Sequence, residues 1–230
     1  MSINLTKQTV NLSKKQAINL SKSSVNDGLS DIDVCLGWDP AEKTFGTKKH
    51  GLLGILSGLL AGGIEQDDID CDAWLGIYDG QSLVYTVYFG ALEYANPDTR
   101  RTVIQHHGDN LTGEGKGDDE VISISLKDLP SFVSRITVGV TIYMAQSRAQ
   151  SFDMIKNLFI RVVDKRDNFE ICRFENAAIN EYRGATTFYA GDLVKNSDGT
   201  WDFVAVGTGD KSGTIGTAVQ VARREQHRSL

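Results

Sequence analysis

Residues 68–78 run Asp-Ile-Asp-Cys-Asp-Ala-Trp-Leu-Gly-Ile-Tyr and are followed by Asp79-Gly80. The first half of this stretch alternates acidic with apolar or small residues, and a period of two is that of a β-strand, whose successive side chains point to opposite faces. Asp-Gly is a hairpin signal, so an antiparallel neighbour is expected directly after it. The stretch therefore predicts a strand with three carboxylates on one face, at Asp68, Asp70 and Asp72.

The same strand pattern recurs through the chain, with turn residues such as Ser197-Asp198-Gly199 between many of the runs. Further strands are predicted at 32–38, 82–88, 120–126, 135–143, 158–164, 169–174, 186–193 and 200–206. Helical patches are predicted at 127–133, at 147–156 and beyond Ile215. Together these elements predict a mainly β fold, a two-sheet antiparallel β-sandwich with a few short helices.

No linker composition divides the chain, so residues 1–230 are expected to form one domain, with an insertion at 40–66 and a C-terminal tail at 215–230. The insertion contains the apolar, glycine-rich run 50–63. That run is shorter than the ~20 residues of a membrane-spanning helix. It is interpreted as a short helix or loop between strands, or as an element for peripheral association with a membrane or a protein partner.

Residues 108–120 run Gly-Asp-Asn-Leu-Thr-Gly-Glu-Gly-Lys-Gly-Asp-Asp-Glu, with five acids and four glycines. Carboxylates crowded into so short a segment repel one another, and the single Lys116 cannot balance them. Oxygen ligands in a flexible arrangement suit Ca²⁺ better than Mg²⁺, which prefers an octahedron and retains its waters. The tract predicts a calcium loop, and the simpler alternative is a solvated acidic loop without an ion.

The tract is not an EF-hand, although Asp109 to Glu120 has the right length. Leu111 and Gly113 would occupy ligand positions, and Glu114 would replace the glycine that an EF-hand requires. Residues 120–126 alternate like a strand where an EF-hand continues as a helix. The loop is therefore expected to lead into a β-strand.

The acidic face of the strand at 68–72 gives a second source of ligands. Three carboxylates one strand-step apart are unfavourable unless they face water or a cation, so the strand and the loop are expected to converge on one site. Together they supply more oxygens than one calcium ion needs, which makes two ions a reasonable hypothesis. The alternative is an acidic edge that prevents strand-to-strand aggregation.

Composition narrows the function classes further. The chain has 230 residues and a formal net charge of -6, so it lacks the basic balance of a general nucleic-acid binder, and no nucleic acid is expected as a partner. Its three cysteines are widely separated and odd in number, which is typical of reduced, buried thiols in a cytoplasmic protein. Arg148 and Arg161 are expected to pair with the acid-rich side, and the three tryptophans are expected in the core.

Motifs spread over nearly the whole chain resemble those of a known family: they lie at 36–39, 68–73, 108–120, 148–152, 159–164 and 201–207. By these motifs the chain resembles the TerD family of tellurite-resistance and general-stress proteins. The resemblance implies a cytoplasmic β-sandwich that binds about two calcium ions and has no enzymatic activity, with partners in a stress-response complex. By position in these motifs, the implied metal ligands are Asp68, Asp70, Asp72, Asp109, Asn110, Thr112, Glu114, Asp118, Asp119 and Glu120.

Two rival functions use the same acidic site. A metal-dependent phosphoesterase would need carboxylate-held metals to activate water, and His106 and His107 adjoin the loop as acid-base candidates. Neighbouring strand residues point in opposite directions, so at most one of the two histidines can serve. A nucleotide-binding protein would need the ion to bridge to phosphate, since the acids repel it and no phosphate-binding glycine motif is present.

Overall fold

The computed structural model describes residues 8–20, 29–40, 69–109, 111, 117–175 and 183–225. Strands are numbered in chain order. The first sheet contains, in spatial order, β1 (Val10–Asn11), β11 (Phe169–Glu175), β10 (Ile155–Asp164), β3 (Asp31–Pro40), β8 (Glu120–Ser125), β7 (Thr102–His106) and β6 (Glu93–Ala95). The second contains β2 (Ala17–Asn19), β13 (Trp201–Asp210), β12 (Thr187–Lys195), β9 (Arg135–Ile142), β4 (Cys71–Asp79) and β5 (Ser82–Val87).

The two sheets enclose one main core. All described strand pairs are antiparallel except β1 with β11, which are parallel. β8 shows how the sequence builds this core, because its buried and half-buried residues alternate strictly from Glu120 to Ser125. Ile122 and Ile124 point inward, where removing their apolar surface from water is favourable. Glu120 points the same way, which places a carboxylate at the end of the core.

A helix covers the outer face of the second sheet. α1 (Ala145–Arg148) is a single turn, whereas α2 (Ile215–Glu225) is a full helix that packs on β4 and β12. Under α2, the Trp74 and Tyr189 rings meet edge to face, with centroids 5.9 Å apart. The Tyr78 hydroxyl donates to the Val219 carbonyl at 2.8 Å. β4 is therefore buried on both faces, with Trp74 and Tyr78 under the helix and alternate residues in the main core.

One glycine leaves room for the aromatic side chains that pack between the second sheet and α2. Gly139 on β9 faces the indole of Trp74, and a Cβ atom at that position would lie 2.0 Å from the ring. A Cβ atom at that distance would overlap the ring, so the buried indole or the backbone around it would have to move. Close packing against Trp74 therefore requires a glycine at position 139.

The predicted fold class is confirmed, and most predicted strands are present with ends shifted by a few residues. The patch at 147–156 is wrong as one helix, because it divides into the end of α1, a 3₁₀ turn at Phe152–Met154 and the start of β10. The patch at 127–133 is reduced to a 3₁₀ turn at Leu126–Asp128. β6 and β7 were not predicted. The three tryptophans are buried, as expected.

The apolar run 50–63 and the rest of 41–68 lie outside the described residues, so the proposed membrane or partner element there stays a prediction. Within the part of the chain that the structure describes, no helix combines the length and apolar character needed to cross a bilayer.

Candidate metal centre

Three carboxylates from two distant segments meet at one end of the sandwich. Asp70 immediately precedes β4, Asp72 is the second residue of that strand, and Asp109 lies in the connection between β7 and β8. One oxygen of each carboxylate falls within 4.8 Å of the others. Asp70 and Asp72 are only 6% and 3% exposed, whereas Asp109 is exposed. This group is called the acidic cluster below.

Glu120 closes the inner side of the acidic cluster. Its Oε2 atom accepts a hydrogen bond of 2.6 Å from the backbone N–H of Ala73. β5 pairs with β4 only from Leu75 onward, so the carboxylate occupies the place where a neighbouring strand would otherwise pair. The ring of His106 lies beside it, with Nε2 3.7 Å from Oε2, beyond hydrogen-bond distance. Glu120 therefore links the loop to the strand that carries Asp70 and Asp72.

Trp38 holds the two segments of the site together. Its indole N–H donates to the Ile69 carbonyl at 3.0 Å, immediately before Asp70. Its backbone N–H donates to Oδ2 of Asp119 at 2.9 Å, at the end of the acidic loop. The sequence predicted Trp38 only as a core residue. Its second role depends on contacts between sheets, which no local pattern reports.

Several polar atoms at this site are buried without a hydrogen-bond partner. Among the described residues these include Oδ1 of Asp70, Oε1 of Glu120 and Nε2 of His106. A buried, unpaired carboxylate oxygen costs free energy because it has lost its water without gaining a donor. A cation between these oxygens would satisfy them.

The carboxyl groups of Asp70, Asp72 and Glu120 have raised pKa values, because their negative charges are buried and lie close to other acids. Burial raises the pKa of Asp72 to about 8, with further increases from the charges of Asp70, Glu120 and Asp109. Burial also raises the pKa of Asp70 to about 6, where Asp109 adds to the shift and Arg148 opposes it. Burial raises the pKa of Glu120 as well, although His106 and the Ala73 amide partly compensate. Without a cation, the acidic cluster must retain protons or bear repulsion.

The donor set suits a hard divalent cation. All of its side-chain donor atoms are carboxylate oxygens, and Asp109 lies in a tract that is rich in glycine in the sequence. Calcium accepts six to eight such oxygens in flexible geometry, whereas zinc prefers nitrogen and sulfur. The residues at this site therefore fit Ca²⁺.

Asp118 and Asp119 have other partners. Arg161 grips Asp118 through two parallel hydrogen bonds, Nε to Oδ1 at 2.7 Å and Nη2 to Oδ2 at 2.6 Å. Asp119 makes two hydrogen bonds with the backbone of β3. Its carboxylate accepts from the Trp38 N–H, and its own N–H donates to the Leu36 carbonyl at 2.7 Å. These two acids anchor the end of the loop. The expected pairing of Arg161 with the acid-rich side is confirmed.

The structure thus brings together Asp70, Asp72, Asp109 and Glu120 from the predicted ligand set. The remaining candidates lie outside the described residues: Asp68, Asn110, Thr112 and Glu114. Of the two histidines, His106 points into the buried site, and His107 is exposed and contacts Ser123 at 2.6 Å. The alternation of β7 puts His106 on the same face as Ile104, a signal that was available in the sequence.

Arg161→Met is expected to lower the free energy of unfolding by about 2 kcal/mol, because it leaves a half-buried Asp118 without its two charge-assisted hydrogen bonds. Urea denaturation measures this loss. The double variant Arg161→Met/Asp118→Asn should lose less than the sum of the single variants. Strict additivity, or loss of calcium binding in a folded Asp118→Asn variant, would contradict a purely anchoring role.

Comparison with known proteins supports the sequence resemblance. The TerD domain model matches residues 8–220. Tellurium resistance protein TerZ from Serratia marcescens is 39% identical over 207 residues, which is 90% of this chain and 93% of that protein. Stress response protein SCP2 from Bacillus subtilis (strain 168) is 36% identical over 203 residues, covering 87% and 92% of the two chains.

A solved structure has the same fold. A homologue of telluride resistance protein (TerD) from Streptomyces coelicolor A3(2) superposes with a TM-score of 0.60 at 22% identity, covering 84% of this chain and 98% of that one. The family model spans nearly the whole chain and the relatives align over most of their length. The chain therefore belongs to the TerD family of tellurium-resistance and stress-response proteins.

Proposed function

We propose that this TerD-family chain is a non-enzymatic, cytoplasmic calcium-binding protein of the stress response. The observation that carries the proposal is the acidic cluster: three carboxylates within 4.8 Å of one another, two of them buried, with unpaired buried oxygens on Asp70 and Glu120. Such an arrangement is tolerable at neutral pH when a divalent cation supplies the missing charge. Asp70, Asp72 and Asp109 would hold the ion, and Glu120 would orient the strand beside it.

A second ion belongs to the same proposal. Its ligands would come from Asp68, Asn110, Thr112 and Glu114, in the loop and the start of the acidic strand. Calcium binding would then link two chain segments, because both contribute oxygens to the ions. In this way the calcium level would control the surface that the protein presents to partners in a stress-response complex.

The burial of His106 favours a binding role for the acidic cluster over a catalytic one. Of the two histidines that the structure describes, His106 faces the acidic cluster and is 1% exposed. Its Nδ1 atom accepts a hydrogen bond from the Gly108 N–H at 3.2 Å, and its other nitrogen faces Glu120. A general acid or base must reach a substrate, which this ring does not. Phosphoester hydrolysis by the calcium-, magnesium- and manganese-loaded protein is therefore expected to stay at the uncatalysed rate.

Titration calorimetry and native mass spectrometry on chelator-treated protein test the calcium site. The wild-type chain is expected to bind calcium with measurable heat, and Asp70→Asn/Asp72→Asn is expected to bind one ion fewer. Asp79→Asn serves as a matched control, because Asp79 lies at the exposed opposite end of β4 and is remote in strand position from the cluster. Equal ion counts in the wild type and the double variant would refute the proposed ligands.

A further inference from the structure

A pocket of about 600 Å³ lies on the outer face of the second sheet, next to the acidic cluster. Three parts of the chain enclose it. These are β5 with the turn that follows it, the end of β9 with the turn into α1, and the first turns of α2. This volume is in the range of pockets that hold small organic ligands.

The walls of the pocket are aromatic and apolar. Tyr88 and Phe89 meet edge to face at 5.3 Å between ring centroids, and Phe89 meets Tyr143 in the same way at 5.9 Å. Phe89, Tyr143 and Met144 are nevertheless 37%, 40% and 50% exposed. Large apolar side chains that remain exposed around one concavity indicate a surface that buries them against a ligand.

The pocket reaches the acidic cluster through Asp72. This residue lines the pocket and is also one of the three clustered carboxylates, although it is only 3% exposed. Among the described residues that line the pocket, it is the only charged one. An ion bound to Asp72 would therefore lie beside the pocket. Calcium coordinates six to eight oxygens, and some of these can come from a bound small molecule instead of the protein.

The start of α2, which also lines the pocket, favours a negative ligand. Gly213 to Gly216 line the pocket where α2 begins. The Thr214 hydroxyl caps the helix by accepting from the Thr217 N–H at 3.2 Å. The N-terminal turn carries the positive end of the helix dipole, which attracts anions. A cation at Asp72 and a helix N-terminus thus flank the same apolar space.

We infer that this pocket binds a small organic anion with an aromatic or apolar body, whose acidic group completes the coordination of the ion held by Asp70, Asp72 and Asp109. The inference rests on the proposed calcium site. The walls bury the body of the ligand, and the ion with the start of α2 binds its acidic group. Ligand and calcium consequently strengthen each other's binding, because each contributes to one shared coordination sphere.

Three probes with matched groups test the inference by titration calorimetry on the full chain, with and without calcium. Phenylphosphonate carries both the ring and the acid, methylphosphonate lacks the ring, and benzylamine carries the ring on a cation. Phenylphosphonate is expected to bind the calcium-loaded protein at least about tenfold more tightly than methylphosphonate does, since burying a ring contributes more than about 1.4 kcal/mol. It is expected to bind the metal-free protein at least about tenfold more weakly.

A pocket-filling variant separates this pocket from other surfaces. A Cβ atom at Gly216 would meet nothing within 4 Å, so Gly216→Leu adds a side chain at the wall without a backbone clash. It is expected to weaken phenylphosphonate binding at least about tenfold while the calcium dissociation constant changes less than about twofold. Arg223→Leu, at an exposed position about two turns further along α2 that does not line the pocket, is the control and should retain probe binding.

The outcomes distinguish the two proposals. If calcium itself fails to bind, the proposed function is refuted. If calcium binds but phenylphosphonate does not, or binds equally without calcium or to Gly216→Leu, the pocket inference is overturned. Tighter binding of benzylamine than of phenylphosphonate would also overturn it, because the pocket would then select a cation.

Discussion

Calcium is expected to raise the melting temperature of the chelator-treated protein by about 5–10 °C at about a hundredfold excess over its dissociation constant. A ligand that binds only the folded state stabilises it by about 2.7 kcal/mol under that condition. The effect is expected here because unfolding separates Asp70 and Asp72 from Asp109, which lies over 30 positions further along the chain. Differential scanning calorimetry with and without calcium measures the shift.

Asp72→Asn is expected to stabilise the metal-free protein and to remove most of the stabilisation that calcium gives to the wild type. In the metal-free protein the substitution removes the carboxylate that is both buried and close to three other negative charges, so the melting temperature near pH 8 should rise. With calcium present, the variant should lose most of the wild-type increase because a ligand is missing. Asp79→Asn should change neither value. A full calcium-dependent increase in Asp72→Asn would show that the ion is held elsewhere.

The metal-free protein is expected to lose stability as the pH rises from about 5 to 8, by on the order of 3 kcal/mol. The folded-state pKa values of Asp70 and Asp72 are raised to about 6 and about 8, above the ordinary value of 3.8. A raised carboxyl pKa means that the folded state binds protons more tightly than the unfolded state. The stability contributed by those protons is complete below about pH 4 and is lost as the pH passes through the folded-state values.

Calcium should weaken this dependence. The ion binds the deprotonated carboxylates, so its affinity grows over the same pH interval in which the metal-free protein becomes less stable. Urea denaturation at pH 5 and pH 8, with chelator and with calcium, gives the four free energies of unfolding that are needed. Asp72→Asn should flatten the metal-free profile. If the wild-type metal-free protein were instead more stable at pH 8 than at pH 5, the electrostatic account of the acidic cluster would be wrong.

Local patterns predicted much of the strand content and part of the site. Alternation located β4 and β8 because a buried face selects every second residue. It failed for β6, which has only three residues, and it placed the start of β4 too early, since Ile69 and Asp70 precede the strand. The helical patch predicted at 147–156 is interrupted, because Ala149 has a left-handed backbone with φ of 52° and ends α1 before the 3₁₀ turn at Phe152–Met154.

Acid density pointed to the two segments that form the acidic cluster, but it did not separate the members of the cluster from the acids that anchor the chain. Asp109, Asp118 and Glu120 are equally plausible in the sequence, since each is an acid in or next to a glycine-rich loop. In the structure Asp109 joins the acidic cluster, Asp118 faces Arg161 and Glu120 accepts the Ala73 N–H. The partners of Asp118 and Glu120 lie more than 40 positions away along the chain, so no local spacing encodes these differences.

The sequence by itself determined that strands would dominate and that acids would be concentrated at 68–72 and in the tract 108–120. These properties follow from side-chain period and charge, which act over a few residues. Only the tertiary structure decided which carboxylates converge and that α2, from the far end of the chain, covers β4 and forms a wall of the neighbouring pocket. Those outcomes depend on how two sheets and a helix pack, because burial and unpaired oxygens exist only once distant segments are in contact.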